Sequence, residues 1–482
     1  MDRFLLLTHR YLGIGLSLIL LLWCLSGFVM MYKPYPELSL EQQLETLEPL
    51  DFSGCCTPLP ADEGDLELYQ QFYLLMVNGV PTLQLYTGFG SLETVNLHSG
   101  QYFQQISESE AMAISQRYAE IHGYPEPDLL GTLENDQWTV YGSYNLHRPL
   151  YHFSANDAAG TRWYVSSRTG EIVQLVTREQ RIWGYLGAVI HWLYPTMLRE
   201  RPALWNQTVI WLSVLGTFLT LTGLYFGIKQ YRLRKNGRHS PYHGWMLWHH
   251  YTGLVFGLMT LTWVISGLFS MQPWGLFEPA GAGAEYSRLS AGNLSINTVN
   301  DSLAAVRASG LDNDIVLLEG KKLGGEYTLI SYDADLNKTV YQGTSMTPKK
   351  FTSSELLDLA LTMLDGEDVL FSDMLTQEDS YYYSHHNVVS LPVFRVIADN
   401  SDRTIYYLDP VDASIQAKYD SANRGFRWFH LGLHRLDFFP ALRSRPAWDI
   451  LMWILLSGVT IGIFTGVVIS IRRLKYNFQT RQ

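Results

Sequence analysis

Four long apolar stretches dominate the hydrophobic pattern of this chain of 482 residues. They cover residues 4–32, 204–228, 244–271 and 448–471. Each is long enough to cross a bilayer as an α-helix, which needs about 20 apolar residues. The pattern therefore predicts four transmembrane helices, with long polar regions at residues 33–180 and 272–423 between them.

Positively charged residues near the ends of these spans predict the orientation of the chain. The loop at residues 229–243 and the tail at residues 472–482 contain several Lys and Arg residues and no acid. Segments of this kind stay in the cytoplasm, so both termini are expected inside and both long polar regions outside. The net charge of −11 leaves no basic surface for nucleic acid, and membrane lipid is the expected surrounding.

The chain contains an internal repeat. A shift of 240 residues aligns the first span with the third, and a shift of 243 aligns later segments of the two halves. Each polar region has helical periodicity, at residues 108–121 and 354–364, and a strand–turn–strand pattern, at residues 149–165 and 392–408. The expected fold is a membrane protein of four transmembrane α-helices in two repeated halves, with two α+β domains outside the membrane.

Two histidines occupy matched positions near the cytoplasmic ends of repeated spans. His9 in the first span aligns with His249 in the third, and each is followed four residues later by a glycine, Gly13 or Gly253. An ionisable ring inside a span is costly and usually functional. The pair is therefore a candidate set of ligands for the iron of a b-type haem, since a glycine on the same helical face leaves space for a flat macrocycle. A histidine that only bonds to a neighbouring helix is the alternative. The repeat selects His249 over His250.

A second histidine pair is expected at the outer face. Residues 181–203 and 424–447 are amphipathic and too charged to cross the membrane, so we expect interfacial helices there. His191 in the first aligns with His434 in the second, while His430 is an alternative ligand to His434 on the same helical face.

The length of a span decides how these histidines pair. A helix of 20 residues is about 30 Å long, so His9 and His191 cannot bind the same iron. His9 is therefore expected to pair with His249 near the cytoplasm, and His191 with His434 near the outside. Two haems bound in this way would form a path for electrons across the membrane.

Matching sequences precede the second and fourth spans. They are LRERPA in the first half and LRSRPA in the second, and they contain Arg199, Arg201, Arg443 and Arg445. These arginines either extend to the membrane surface or hold the propionates of the haems, which a guanidinium binds through two hydrogen bonds.

Several other chemistries lack support in the sequence. There is no H-E-x-x-H zinc motif, no G-x-S-x-G nucleophile motif and no Walker or Rossmann glycine motif. An electron donor must therefore be external, in the cytoplasm. Cys55 and Cys56 are adjacent and would bridge each other only with strain, so we assign them no catalytic role.

Short motifs throughout the chain resemble the PepSY-associated transmembrane family, which includes iron-regulated membrane proteins and inner-membrane ferri-siderophore reductases. They are THRYLGIGL at residues 8–16, WHHYTGLVFGL at 248–258, W-x-x-S-G at 23–27 and 263–267, and W-Y-V-x-x-x-T-G-E at 163–171. The resemblance implies a bacterial inner-membrane protein with periplasmic PepSY-like domains.

For the siderophore reductases, the resemblance further implies two b-type haems, with His9, His249, His191 and His434 as the candidate ligands here. The acceptor would be a periplasmic ferric siderophore. Two alternatives remain at this stage. One is a membrane-anchored PepSY module that binds or regulates a partner without redox activity, and the other is a transporter, since parallel repeats occur in transporters.

Overall fold

A computed structural model describes residues 2–53, 55–60, 66–88, 90–232, 239–310, 314–385 and 389–479. Some of the Lys and Arg residues that predict the orientation of the chain lie outside these ranges. They are Arg234, Lys235, Arg238 and Arg481 of the cytoplasmic charge pattern.

The described residues form thirteen α-helices and sixteen β-strands. The helices are α1 (Asp2–Met30), α2 (Leu40–Glu45), α3 (Glu108–His122), α4 (Arg178–Gly184), α5 (Thr196–Arg199), α6 (Pro202–Gln230), α7 (Trp245–Ser270), α8 (Gly283–Ser290), α9 (Ile296–Ser309), α10 (Ser353–Leu364), α11 (Ser421–Phe426), α12 (Leu433–Arg435) and α13 (Ala447–Gln479). The strands are β1 (Tyr69–Val77), β2 (Val80–Thr87), β3 (Leu92–Asn96), β4 (Gln101–Phe103), β5 (Asp128–Leu133), β6 (Leu150–Ser154), β7 (Arg162–Ser166), β8 (Ile172–Val176), β9 (Ile315–Leu323), β10 (Glu326–Asp333), β11 (Lys338–Gln342), β12 (Thr347–Lys349), β13 (Val369–Leu375), β14 (Val393–Ala398), β15 (Ile405–Leu408) and β16 (Ile415–Tyr419).

The four predicted spans are confirmed as helices long and apolar enough to cross a membrane, namely α1, α6, α7 and α13. Helix α1 packs against α6 and α13, and α7 packs against the same two helices. The four therefore form a bundle in which α1 and α7 are diagonal partners. Connectivity places Met30, Pro202, Ser270 and Ala447 at one end, which we call the sheet end because the sheets connect there. The opposite end contains both chain termini, and we call it the terminal end.

An eight-stranded antiparallel sheet joins the two halves of the chain. Its strand order is β12-β11-β10-β9-β1-β2-β3-β4, so four strands come from each half. The junction is the pairing of β1 with β9, where Phe72 lies opposite Gly320. A Cβ atom at Gly320 would lie within 2.1 Å of the Phe72 ring, so a glycine is required there. The two long polar regions, expected as separate domains, thus share one sheet.

Each half also contains a four-stranded antiparallel sheet, of order β5-β6-β7-β8 in the first half and β13-β14-β15-β16 in the second. The helices predicted for these regions are confirmed as α3 and α10, and the predicted strand–turn–strand pairs are confirmed as β6–β7 and β14–β15. Both helices begin with a capping box, from Ser107 to Glu110 and from Thr352 to Glu355. These reciprocal hydrogen bonds explain why each helix starts where its periodicity starts.

The segments between the sheets and the bundle differ from the single interfacial helices that the sequence predicts. After α4 the chain forms a π-helical turn at Tyr185–Val189, and after α11 it forms another at Arg427–Gly432. In each half a leucine then adopts a left-handed conformation, with φ 53° at Leu193 and φ 57° at Leu436. A leucine rarely adopts this conformation, so packing rather than local preference ends each helical segment two residues after a candidate histidine.

Candidate functional site

His9 and His249 face each other near the terminal end of the bundle. They belong to the diagonal helices α1 and α7, and their ring centres are 6.5 Å apart. A metal–imidazole nitrogen bond is about 2 Å long and that nitrogen lies about 1.2 Å from the ring centre, so rings that bind one metal from opposite sides have centres about 6.4 Å apart. The structure therefore brings this pair to the spacing that a single metal ion requires.

Hydrogen-bond acceptors on α6 orient the His9 ring. Its Nδ1 atom lies 3.0 Å from the carbonyl oxygen of Leu219 and 3.2 Å from Oγ1 of Thr222. The Thr222 hydroxyl donates its proton to backbone carbonyls 2.9 Å away, so both neighbours of Nδ1 act as acceptors. Nδ1 must then carry the ring proton, which leaves Nε2 with a free lone pair. No protein hydrogen bond to this Nε2 occurs among the described residues.

The His249 ring is held in the same way by α13. Its Nδ1 atom lies 3.1 Å from the carbonyl oxygen of Gly462 and 3.0 Å from Oγ1 of Thr465. Thr465 donates its own proton to that carbonyl, at 2.6 Å. The partners Thr222 and Thr465 are 243 residues apart, so equivalent helices of the two halves supply equivalent bonds.

His250 has a different environment. Its Nδ1 atom bonds to Oγ of Ser240 and its Nε2 atom to the carbonyl oxygen of Gly227, both at 2.8 Å. Because both ring nitrogens have protein partners and the side chain is buried, His250 holds a helix end to its neighbour. The preference for His249 over His250 that the repeat gives agrees with this difference.

The second pair, His191 and His434, lies at the sheet end. Their ring centres are 6.0 Å apart, which again suits one metal between two imidazoles. Nδ1 of His191 lies 3.1 Å from Oγ of Ser26 and 3.1 Å from the carbonyl oxygen of Trp23. The Ser26 hydroxyl donates to that same carbonyl, so it accepts the Nδ1 proton of His191.

The third span supports His434 through residues that match those around His191. Nδ1 of His434 lies 2.9 Å from Oγ of Ser266, whose proton goes to the carbonyl oxygen of Trp263. The Trp263 indole in turn donates to the backbone carbonyl of His434, at 3.0 Å. Ser266 and Trp263 follow Ser26 and Trp23 by 240 residues, so the repeat identifies these supporting residues as well as the histidines.

His430 lies beside His434 rather than opposite His191. The two rings of the second half have centres 5.4 Å apart, and Nδ1 of His430 bonds to the carbonyl oxygen of Ser266 at 2.8 Å. The structure therefore favours His434 as the partner of His191, with His430 packed at its side.

The two histidine pairs are at opposite ends of the bundle. His9 precedes Ser26 by 17 residues on α1, and His249 precedes Ser266 by 17 residues on α7. At 1.5 Å per residue the two sites are about 25 Å apart along the bundle axis. All four paired histidines are half-buried, as expected for rings with one open edge. Their role as haem ligands stays a prediction.

The four arginines proposed to bind propionates lie at the sheet end with different contacts. Arg199 stacks on Tyr194 and Trp205, with its guanidinium carbon 5.1 and 4.8 Å from the ring centres. Arg201 is exposed, and Arg445 donates to the carbonyl oxygen of Met31 at 2.7 Å. The nitrogens of Arg443 bond to backbone carbonyls, as described below. Their proposed contact with propionates stays a prediction.

Sequence reasoning missed two sets of buried polar residues. The first is a matched pair, in which the hydroxyls of Tyr164 and Tyr407 donate to Asp136 and Asp379 at 2.5 and 2.7 Å. Both donor and acceptor recur after 243 residues, so the repeat contained this signal. The second set surrounds Arg427 and Asp437 and occurs in the second half alone, so no repeat marks it.

Comparison with known families agrees with this architecture of four apolar helices and α+β sheet domains. The sequence matches the PepSY-associated TM region family over residues 6–473. The chain belongs to this family and is a membrane protein, as the motifs predict. A comparison with curated proteins gave no match.

Proposed function

We propose that this chain binds two b-type haems and transfers electrons from a cytoplasmic donor to a ferric chelate in the periplasm. His9 and His249 would be the ligands of the inner haem, and His191 and His434 those of the outer haem. The chain would lie in a bacterial inner membrane with the terminal end in the cytoplasm and the sheet end in the periplasm.

One observation carries this proposal. In all four histidines, acceptors hold Nδ1–H and leave Nε2 as the unprotonated nitrogen, and the four rings form two pairs at the spacing of one metal. In the adjacent His250, by contrast, both ring nitrogens have protein partners. A haem b held by two imidazoles has no open coordination position, so it supplies one-electron transfer rather than oxygen binding.

The protein contributes orientation and shielding of these sites. Carbonyl and hydroxyl acceptors fix the tautomer and angle of each ring, which also makes Nε2 a stronger base toward a metal. Leucines at the centre of the bundle, Leu16, Leu20 and Leu219, form a buried apolar cluster. His9 and His249 lie on α1 and α7. Ser26 and Ser266 of the same two helices bind His191 and His434, so these helices set the distance between the sites.

A ferric siderophore is the acceptor that the family resemblance suggests. One electron converts bound Fe(III) to Fe(II), for which oxygen-rich chelators have lower affinity, so reduction would release the iron. The external donor must supply one electron for each iron released. The competing function, a PepSY module without redox activity, predicts a colourless protein.

Haem content tests the proposal first. Protein purified after expression with sufficient haem should contain two haems per chain by the pyridine haemochrome assay, with low-spin absorption bands. A content of one haem per chain would mean that one histidine pair has only a structural role. A content of no haem would overturn the proposal in favour of the binding module.

Variants of adjacent histidines then test the ligand assignment. His249→Ala should remove the inner haem and prevent a cytoplasmic donor from reducing the outer haem, which should still be reduced by dithionite. His434→Ala should remove the outer haem and leave a reducible inner one. His250→Ala is the matched control and should keep both haems. Two bound, reducible haems in His249→Ala would show that the pairing is wrong.

The direction of transfer is a separate test. In sealed vesicles of one orientation, a donor on the terminal side should reduce a ferric chelate on the sheet side. Equal reduction from both sides would contradict the proposed topology.

A further inference from the structure

A buried ionic cluster lies beside the outer histidine pair, in the second half of the chain. Arg427 and Asp437 form a salt bridge of 2.9 Å in which both side chains are 0% exposed. Arg443 donates to the backbone carbonyl of Asp437 at 3.2 Å and is itself buried. The hydroxyl of Tyr383 donates to the Asp437 carboxylate at 2.7 Å. We call Arg427, Asp437 and Arg443 the outer ionic cluster.

This cluster encloses the segment that contains the candidate ligand. Arg427 begins the π-helical turn three residues before His430, and Asp437 follows His434 by three residues. The guanidinium groups of Arg427 and Arg443 stack on the same ring, that of Tyr383, at 4.4 and 3.8 Å from its centre. The charges are therefore fixed in position close to the His434 side of the outer site.

The first half contains a counterpart of Arg443, namely Arg199, but it lacks the Arg427–Asp437 salt bridge. A shift of 243 residues places Gly184 where Arg427 lies and Tyr194 where Asp437 lies. The region around His191 is instead aromatic, with Tyr194 packed against Trp192 and Trp205. The cluster is thus a feature of one side of the outer site and is not a general requirement of the fold.

The cluster has an excess positive charge. Two guanidinium groups share one carboxylate, which leaves one positive charge that the group itself does not neutralise. Arg443 also donates to the backbone carbonyl of Asp379, whose side chain, like that of Asp373, pairs with Arg395; these carboxylates are 19% and 34% exposed. Both carboxylates are half-buried and already paired with Arg395, whereas the buried cluster acts through a medium of lower dielectric constant.

We propose that the outer ionic cluster raises the reduction potential of the outer haem and so favours electron flow from the inner site to the outer one. This inference rests on the proposed function. An added electron lowers the positive charge at the haem iron, so a nearby buried cation stabilises the reduced state over the oxidised one. Arg427, Asp437 and Arg443 would act through their charge and position, without touching the electron acceptor.

Changes in the charge of the cluster test this proposal. The full chain with both haems is titrated potentiometrically, at the same pH for the wild type and every variant. Arg443→Gln removes the excess charge and should lower the potential of one of the two haems. Arg443→Lys keeps the charge and should lower the potential less than Arg443→Gln does. Asp437→Asn adds one positive charge and should raise that potential.

Arg435→Gln is the control variant, because it removes a positive charge that is near His434 but exposed to solvent. Because water screens Arg435, its removal should shift the potential less than Arg443→Gln does. The low-spin spectrum of each variant shows whether both haems remain bound.

The sign of the shifts decides the outcome. Loosened packing would move Arg443→Gln and Asp437→Asn in the same direction, and such a result would overturn the inference. If Asp437→Asn loses the outer haem, the comparison of Arg443→Gln with Arg443→Lys decides, and equal shifts in these two would also overturn it. Two haems with unchanged potentials refute this inference alone, whereas a wild-type protein without haem refutes the proposed function with it.

Discussion

Two glycines in equivalent positions of the two halves allow a graded test of the inner site. A Cβ atom at Gly223 would lie 2.8 Å from Cε1 of His9, and one at Gly466 would lie 3.2 Å from Cε1 of His249. Ordinary contacts begin at 3.4 Å, so Gly223→Ala must displace its histidine by 0.6 Å and Gly466→Ala by only 0.2 Å. The same chemical change should therefore perturb the first ring much more than the second.

The magnitude follows from the hydrogen bonds of each ring. The bond from His9 to Leu219 is 3.0 Å long and would stretch to about 3.6 Å, at which distance it no longer counts as a hydrogen bond. A lost hydrogen bond costs about 1 kcal/mol, which corresponds to a roughly fivefold weaker retention of haem in Gly223→Ala. The bond from His249 to Gly462, 3.1 Å long, would remain within range in Gly466→Ala, so we expect less than about a twofold change there.

Transfer of haem to an excess of apomyoglobin measures this difference. The inner haem should leave Gly223→Ala faster than it leaves the wild type, whereas Gly466→Ala should resemble the wild type. The outer haem serves as the internal control, because neither glycine contacts its ligands. Equal transfer rates for the two variants, or a larger effect in Gly466→Ala, would show that these histidines do not hold the inner haem as proposed.

Further predictions concern the outer site and the sheets. Ser266→Ala should weaken outer haem binding by about tenfold or more without affecting the inner haem, because His434 loses an oriented acceptor; haem stoichiometry after dialysis measures this. Lys338→Met should destabilise the protein by roughly 3 kcal/mol, since the buried Asp412 loses its cation at 2.7 Å, and thermal unfolding measures this. Gly320→Val should disrupt the pairing of β1 with β9 and expose the chain to limited proteolysis there.

The Asp412 carboxylate also makes the stability of the folded protein depend on pH. Burial alone would raise the pKa of Asp412, but Lys338, Lys321 and the Ser414 hydroxyl together outweigh burial, so the pKa of Asp412 in the folded protein lies below its ordinary value. The stability that this group contributes is therefore fully present above the unfolded pKa and is lost as the pH falls through the folded pKa. In Lys338→Met the pKa of Asp412 in the folded state rises, so acidification should cost the variant less stability than it costs the wild type. Identical acid unfolding curves for the two proteins would contradict this account.

Sequence alone predicted the parts of the fold that depend on local pattern. Apolar length marked the four bundle helices, and helical periodicity marked α3 and α10 in the polar regions. The internal repeat also predicted candidate site residues, because matched positions identified both histidine pairs that the structure brings together. These features can be recognised in the sequence without knowing which distant segments of the chain are in contact.

Other features depend on distant contacts, which no local pattern contains. The pairing of Phe72 with Gly320 joins strands almost 250 residues apart, and neither strand shows its partner in its own sequence. The left-handed conformations of Leu193 and Leu436 are imposed by packing, since leucine has no preference for them. Arg427 is fully buried, although its charge in the sequence suggests an interfacial position, because Asp437 neutralises it.

The continuous sheet across the two halves limits how the protein can move. Alternating-access transporters work by rocking one repeat against the other. Here five consecutive residue pairs, from Gln71 with Lys321 to Leu75 with Leu317, connect the repeats through one hydrogen-bonded ladder. Rocking the halves apart at the sheet end would break that ladder. Electron transfer, by contrast, needs no opening between the halves. The shared sheet thus joins the two halves of the chain into one unit, which keeps the two histidine pairs at a constant distance from each other.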